Sequence, residues 1–301
     1  MLLKIAKLSA ILAISSLALN ATEFNAQAEK DRIALEKYTI AKFKDPMGDK
    51  YTFFPYSTDE ELKAMRSNIP ASDFKDGTYS YNVTGKKFRD DMMEMPPFDE
   101  NIEQGEELYN KYFTKCFSSP EVKGEYPKFD EKQGKVITLT NAIINCAKDQ
   151  GLEISKKAWN YDTGLTADVE AYMAYASQEA QKKVNIKIDS AKAAAAYEHG
   201  KQIFYTQRGY LELSCAECHV QGAGQRVRLE YMSPTLGHVT HFPVFRSTKE
   251  KLLTVENRVR GCVKDTGQVK PKYDGKFLGD LIYFMSYMSN GMPLSGPDIR
   301  K

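Results

Sequence analysis

Five consecutive residues, Cys215-Ala216-Glu217-Cys218-His219, constrain this chain more than any other stretch. Two cysteines separated by two residues and followed directly by histidine form the attachment motif of a c-type haem, in which both thiols bond one porphyrin edge and the histidine binds the iron. A disulfide or half of a zinc site is the alternative, but no second Cys-x-x-Cys or histidine pair at zinc spacing completes such a site. The motif therefore predicts a haem c bound by Cys215, Cys218 and His219.

The N-terminus has the pattern of an export signal. Lys4 and Lys7 precede an apolar run from Leu8 to Leu19, which is too short to span a bilayer. We place the signal peptide at residues 1–21, although two small-residue cleavage sites remain open. No later stretch reaches membrane-spanning length, so we expect a protein without a membrane span in a bacterial periplasm.

Charge and cysteine content narrow the possibilities further. A net charge of +2 indicates neither a nucleic-acid binder nor a strongly acidic partner surface. Haem attachment leaves Cys116, Cys146 and Cys262, and in an oxidising compartment two of these three should pair. Cys116 and Cys146 are the candidate disulfide, with two free, buried thiols as the alternative. Cys262 is then an odd thiol that requires another explanation.

Two halves of the chain share one pattern. Apolar side chains at helical spacing from Ile102 to Phe113 precede Cys116, and a similar stretch from Ala195 to Tyr205 precedes Cys215. Further residues then recur at one constant offset of 112 positions: Tyr161-Asp162, Asp168, Met173 and Tyr175 correspond to Tyr273-Asp274, Asp280, Met285 and Tyr287. Each set leads into an apolar amphipathic helix. A helix entering a haem site and a later helix packing across it are typical of small cytochrome c domains.

The repeat predicts a mainly α fold with two tandem cytochrome-c-like domains, residues 98–183 and 187–301. An irregular, turn-rich extension over residues 22–97 precedes them, and we assign it no chemistry. In the first domain Cys116 is followed by Phe-Ser-Ser-Pro, which does not complete an attachment motif. We therefore expect one covalent haem per chain, in the second domain.

Beyond the haem motif, four blocks follow in the order seen in the SoxA family. They are Gln221–Arg228, Phe242–Arg246, Arg258–Cys262 and Asn290–Pro297. The chain thus resembles SoxA, the catalytic cytochrome subunit of SoxAX in thiosulfate oxidation, over both cytochrome-like domains. It looks like the monohaem subgroup, with Cys116 and Cys146 at the family's disulfide positions.

The resemblance implies an L-cysteine S-thiosulfotransferase subunit, which joins thiosulfate oxidatively to a cysteine of the SoxYZ carrier while electrons pass to haem. It also implies a SoxX-type small cytochrome c subunit and a downstream cytochrome electron acceptor. His219 and Cys262 would bind opposite faces of the iron, with Cys262 modified to a persulfide. Arg258 matches the family's active-site arginine.

Elementary chemistry agrees with these roles. Thiosulfate is a dianion, and a guanidinium offers planar, forked donors to its oxygens. Arg258 and Cys262 are four residues apart, so on a helix they share a face. Gly261 lets the backbone approach a flat porphyrin closely.

An electron-transfer cytochrome c without its own substrate is the alternative function. Such a protein would use methionine as the distal iron ligand, and Met232, Met285, Met288 and Met292 are available. Met285 and Met288 lie at helical spacing on an apolar face, which favours core positions. His238 and His241 are further potential ligands, but we expect them to be solvated side chains near a loop.

Overall fold

The computed structural model describes residues 23–50, 53, 57–227 and 230–300, so the predicted signal peptide lies outside the described residues. In this part of the chain no helix is long and apolar enough to cross a membrane. The α-helices are α1 (residues 23–42), α2 (Asp59–Lys63), α3 (Val83–Met93), α4 (Asp99–Leu108), α5 (Leu139–Asp149), α6 (Leu165–Glu179), α7 (Ala191–Tyr205), α8 (Val255–Asp265) and α9 (Lys276–Tyr287).

Shorter segments complete the described chain. 3₁₀ segments cover Ala71–Ser80 and Pro120–Glu125, and π turns cover Tyr109–Phe113 and Glu217–Gln221. The strands are β1 (Lys128–Asp130), β2 (Lys135–Ile137), β3 (Arg226–Val227), β4 (Glu230–Tyr231), β5 (Val244–Arg246), β6 (Lys251–Leu253) and β7 (Asp298–Arg300). The strand order is β1-β2, β3-β4 and β6-β5-β7, with β5 parallel to β7 and the other pairs antiparallel.

The same helix crossing occurs twice. Helix α4 packs on α6 at Gly105, where a Cβ atom would lie 2.1 Å from the carbonyl oxygen of Asp168. Helix α7 packs on α9 at Gly200, where a Cβ atom would lie 2.0 Å from the carbonyl oxygen of Asp280. Asp168 and Asp280 are one of the pairs that the 112-residue offset predicts. The mainly α fold with two tandem cytochrome-c-like domains is therefore confirmed.

Each domain has its own apolar core. The first core includes Phe113, Ile143 and Trp159, and the second includes Phe204 and Leu281. A disulfide between Cys116 and Cys146 closes the first domain, as the resemblance implied. It joins the segment after the π turn to helix α5, whose apolar face forms much of that core.

The N-terminal extension is more helical than the sequence analysis predicted, since it contains α1, α2 and α3. In α1 the inward stripe includes Ala28, Leu35 and Thr39, which gives a weak apolar periodicity. The helix is stabilised by tertiary contacts rather than by a strong apolar face of its own, because Ala28 and Leu35 belong to the core of the second domain. Asp31 of α1 also accepts hydrogen bonds from Tyr197 at 3.0 Å and Lys201 at 2.6 Å.

A buried polar cluster joins the two domains. The hydroxyl of Thr140 lies 2.9 Å from a carboxyl oxygen of Glu170 and 2.8 Å from one of Glu256, which lies in the first turn of α8. A hydroxyl donates only one proton, so one of the two carboxyl groups must itself donate to Thr140. Burial raises the pKa of Glu256 to about 7, and the charge of Glu170 adds to the effect. Burial raises the pKa of Glu170 as well, but the ammonium group of Lys123, 3.8 Å away, opposes that rise. Among the described residues no cation lowers the pKa of Glu256 in this way, so Glu256 is the protonated member.

Candidate functional site

The haem motif lies in a π turn that local hydrogen bonds hold in place. The carboxylate of Glu217 accepts from the backbone N–H of Ser214 at 2.6 Å and from the side chain of Gln207 at 2.6 Å. In return the backbone N–H of Glu217 donates to the Ser214 hydroxyl at 3.2 Å. This reciprocal cap is the usual device for fixing the first turn of a helix, and it determines the direction of the residues that follow.

The hydrogen bonding and burial of His219 give its side chain the tautomer that metal-binding histidines use. Its Nδ1 lies 2.8 Å from the carbonyl oxygen of Ser233. A carbonyl only accepts, so Nδ1 carries the proton and Nε2 keeps its lone pair. Burial lowers the pKa of His219, and the ring is neutral at neutral pH. A neutral imidazole with one nitrogen bonded to a backbone carbonyl is the usual form of a metal-binding histidine.

Three thiols lie together in the second domain. Burial raises the pKa of Cys215 to about 12, with contributions from the neighbouring thiols of Cys262 and Cys218. Cys218 likewise has a raised pKa, first through burial and then through Cys262. All three are partly buried and free of disulfide bonds. The fold therefore brings Cys262 within electrostatic range of both predicted haem-attachment thiols.

Helix α8 carries both predicted catalytic residues. It follows the β5–β6 hairpin, and Thr254 caps it by accepting from the backbone N–H of Asn257 at 3.3 Å. Val259 and Val263 are buried on one side of the helix. Arg258 and Cys262 precede them by one residue each, so they share a different, partly exposed face one turn apart.

A cleft that Arg258 lines adjoins this face. Its volume is about 770 Å³, within the range of small-molecule and cofactor sites. The lining includes His219 and both signs of charge: the arginines Arg226, Arg246, Arg258 and Arg300, and the glutamates Glu60, Glu61 and Glu230. The opposite wall comes from the N-terminal extension, including Tyr79 and Phe88. The extension thus contributes to the site, a role that its sequence did not indicate.

Arg258 is loosely paired. Its guanidinium lies 3.8 Å from the carboxylate of Glu230, whereas Arg246 approaches the same carboxylate at 3.2 Å. The Arg258 side chain is 38% exposed. An ion pair this long and this exposed contributes little stability, so an incoming anion can replace Glu230 at small cost.

The expectation that His238 and His241 are solvated is wrong. His238 and His241 are not solvated: the His238 ring packs edge-on against His219 at 4.6 Å between centroids, and His241 is buried with Nδ1 3.2 Å from the carbonyl oxygen of Lys75. Their positions depend on long-range packing, which single residues in a loop do not reveal. Met285 and Met288 lie in the core of the second domain.

Comparison with known proteins gives a consistent result. The family model described as SoxA/TsdA, cytochrome c domain, matches residues 100–181 and 199–294. The chain belongs to this family. The L-cysteine S-thiosulfotransferase subunit SoxA of Chlorobaculum thiosulfatiphilum is 39% identical over 240 residues, covering 77% of this chain and 82% of the relative. The SoxA of Allochromatium vinosum is 35% identical over 247 residues, covering 80% and 86%.

A solved structure supports the same assignment. A chain in the crystal structure of SoxXA from P. pantotrophus is 28% identical, with a TM-score of 0.55, covering 68% of this chain and 79% of that chain. The predicted SoxA resemblance is therefore confirmed. A cytochrome c family implies haem c, and the residues present fit it: the two free thiols of Cys215 and Cys218, a partly buried histidine whose Nε2 keeps its lone pair, and a cleft of about 770 Å³ that His219 lines and the two thiols do not.

Proposed function

We propose that this chain is the cytochrome subunit of a periplasmic L-cysteine S-thiosulfotransferase. The observation that carries the proposal is the position of α8. It brings Cys262 within electrostatic range of the haem-attachment thiols and exposes Arg258 one turn earlier in a cleft that also contains His219. The names of the SoxA relatives support the same activity.

One haem c is attached through Cys215 and Cys218 in this proposal. His219 would hold the iron through Nε2, and the sulfur of Cys262, modified to a persulfide, would be the second protein ligand. When bound, the haem accepts the electrons that the reaction releases. The first domain carries no covalent haem because Cys116 is in a disulfide and no attachment motif follows it.

The reaction balances as follows. Thiosulfate and a carrier cysteine thiol form one new sulfur–sulfur bond, giving a cysteine S-thiosulfonate. The thiol loses its proton, and two electrons leave. Arg258 binds the oxygens of the thiosulfate dianion, and its loose pairing with Glu230 leaves its forked donors available. The other cleft arginines are paired with carboxylates, Arg226 with Glu61, Arg246 with Glu230 and Arg300 with Asp298. Arg258 is therefore the guanidinium most available to the anion.

The partners follow from this chemistry and from the relatives. A SoxX-type small cytochrome c subunit forms the complex, by analogy with the SoxXA structure. A SoxYZ-type carrier supplies the thiol, thiosulfate is the sulfur donor, and a downstream cytochrome removes the electrons.

The proposal is tested with the purified holoprotein and its small cytochrome subunit. Thiosulfate, a reduced SoxYZ-type carrier and an oxidised cytochrome are supplied, while acceptor reduction and the mass of the carrier are followed. We expect both to change only when thiosulfate and the carrier are present together, with two electrons per adduct. Reversible reduction with no carrier adduct under any combination would instead establish the electron-transfer cytochrome.

Haem stoichiometry and the state of Cys262 have their own test. Intact mass spectrometry of the mature holoprotein should give one haem, one disulfide and one extra sulfur atom. Two haems per chain would overturn the monohaem assignment, and a mass without the extra sulfur would overturn the persulfide.

A further inference from the structure

The haem-less domain holds the first turn of α8. The backbone N–H of Thr254 donates to the carbonyl of Asp162 at 3.1 Å, and the Thr254 hydroxyl donates to the carbonyl of Tyr161 at 2.6 Å. The same hydroxyl accepts from Asn257, so the capping residue uses both its donor and its acceptor. The start of the catalytic helix is thereby tied to a loop of the other domain.

The side chain of Asp162 fixes the orientation of the first turn of α8. Its Oδ1 accepts from the side-chain amide of Asn257 at 2.8 Å and from the hydroxyl of Tyr273. Burial and the nearby Asp162 raise the pKa of Tyr273, which keeps the phenol protonated as a donor. Asn160 in turn fixes the loop, accepting from the backbone N–H groups of Asp162 at 2.9 Å and Thr163 at 3.0 Å.

Tyr273 extends the contact to the next turn of the helix. Its ring stacks on Tyr161 with centroids 5.1 Å apart and planes 8° from parallel. The guanidinium carbon of Arg260 lies 3.6 Å from the centre of the same ring, and Arg260 Nε donates to the carbonyl of Pro271 at 2.7 Å. Helix α8 is thus held at Asn257 and at Arg260, on either side of Arg258.

We propose that Asp162 is a positioning residue for the sulfur-transfer site: it fixes the rotation of α8 and so places Arg258 and Cys262. Side-chain atoms lie about 5–6 Å from a helix axis, so a rotation of about 10° moves them by about 1 Å. A misplacement of that size costs about a hundredfold in rate when reacting groups must meet precisely. The effect on turnover rests on the proposed thiosulfate reaction, whereas the effect on the haem spectrum rests only on the proposed ligation of iron by Cys262.

The chain offers a matched control in Asp274. It is the counterpart of Asp162 at the 112-residue offset, it is exposed, and it makes no hydrogen bond or ion pair with the residues that the structure describes. A change there alters the same residue type at the equivalent repeat position without touching α8.

The test compares Asp162→Ala, Tyr273→Phe and Asp274→Ala as complete holoproteins. Electron paramagnetic resonance of the oxidised haem reports the distal ligand, and kcat at saturating thiosulfate reports the reaction. We expect Asp162→Ala to give more than one low-spin signal and at least a tenfold lower kcat. Tyr273→Phe keeps the ring but loses one hydrogen bond, so it should shift both in the same direction by less. Asp274→Ala should match the wild type.

Several results would contradict a positioning role for Asp162. A single wild-type signal and a wild-type kcat in Asp162→Ala, even with a lower melting temperature, would show that Asp162 only stabilises the fold. Equal changes in Asp274→Ala would also overturn the proposal. If Asp162→Ala does not accumulate, Asp162→Asn, which keeps one acceptor oxygen, is judged by the same two readouts. If the wild type itself does not turn over thiosulfate, the proposed function fails while the resonance comparison still decides the positioning role.

Discussion

Replacing Gly200 with alanine sets two opposite effects against each other. Alanine in a helix interior is more favourable than glycine by about 1 kcal/mol. The new Cβ, however, would lie 2.0 Å from the carbonyl oxygen of Asp280, and a backbone atom has no rotamer by which to move away. Helices α7 and α9 must then separate by more than about 1 Å, and overpacking of this kind costs about 1–3 kcal/mol or more. We expect the steric cost to exceed the gain, with a net loss of about 2 kcal/mol.

Thermal unfolding followed by circular dichroism and by haem absorbance measures this loss. A change of about 2 kcal/mol corresponds to a melting temperature lower by about 3 °C in a chain of this size, because the entropy of unfolding is about 2.1 cal/mol/K per residue. Gly105→Ala is the matched control, since its Cβ would lie 2.1 Å from the carbonyl oxygen of Asp168 in the first domain. We expect Gly200→Ala to broaden or shift the haem transition and Gly105→Ala to leave the haem spectrum unchanged. A melting temperature at or above that of the wild type for Gly200→Ala would refute the close-crossing argument.

Two further predictions concern stability. Cys116→Ser removes a disulfide with a sequence separation of 30, which stabilises the fold by about 3–4 kcal/mol on the chain-entropy relation. Guanidinium unfolding should show this loss while the haem spectrum stays unchanged. An unchanged unfolding midpoint would contradict the prediction. Glu256 has a folded pKa of about 7 against 4.5, so its carboxyl favours folding when protonated and stability falls as the pH rises through this window. Glu256→Gln stays neutral, so it should flatten the dependence. It should match the wild type below about pH 4 and exceed it by up to about 3 kcal/mol near pH 8. Parallel stability profiles for the two proteins would refute this.

Local sequence patterns predicted much of the fold. The apolar periodicity ahead of Cys116 and Cys215 predicted helices that correspond to α4 and α7, and the 112-residue offset predicted the duplicated crossing. Those signals are strong because a helix that buries one face must repeat its apolar residues at helical spacing. Helix α1 gave a weak signal, because its inward face includes small and polar residues and depends on contacts with a distant part of the chain.

In the candidate site, too, the sequence predicted the residues that follow a spacing rule and did not predict those that depend on distant partners. The four-residue spacing of Arg258 and Cys262 is sufficient to predict that both lie on one face of a helix, as they do in α8. The roles of Glu230, His238 and Asp162 were not predictable, because each depends on a partner that only folding brings close. A single carboxylate or imidazole in a loop has no spacing rule that identifies its partner.

Turnover by the Cys262→Ser holoprotein tests the central claim most directly. The assay supplies thiosulfate, a reduced carrier thiol and an electron acceptor, with the small cytochrome subunit present. We expect no thiosulfate-dependent electron release and no carrier adduct, together with a changed haem spectrum, because a hydroxyl is a poor substitute for a soft sulfur ligand. Arg258→Ala should keep the haem and lose most turnover, and Arg258→Lys should recover only part of it, since lysine has charge without a fork. Wild-type turnover by Cys262→Ser would contradict the sulfur-transfer mechanism and leave the electron-transfer function in its place.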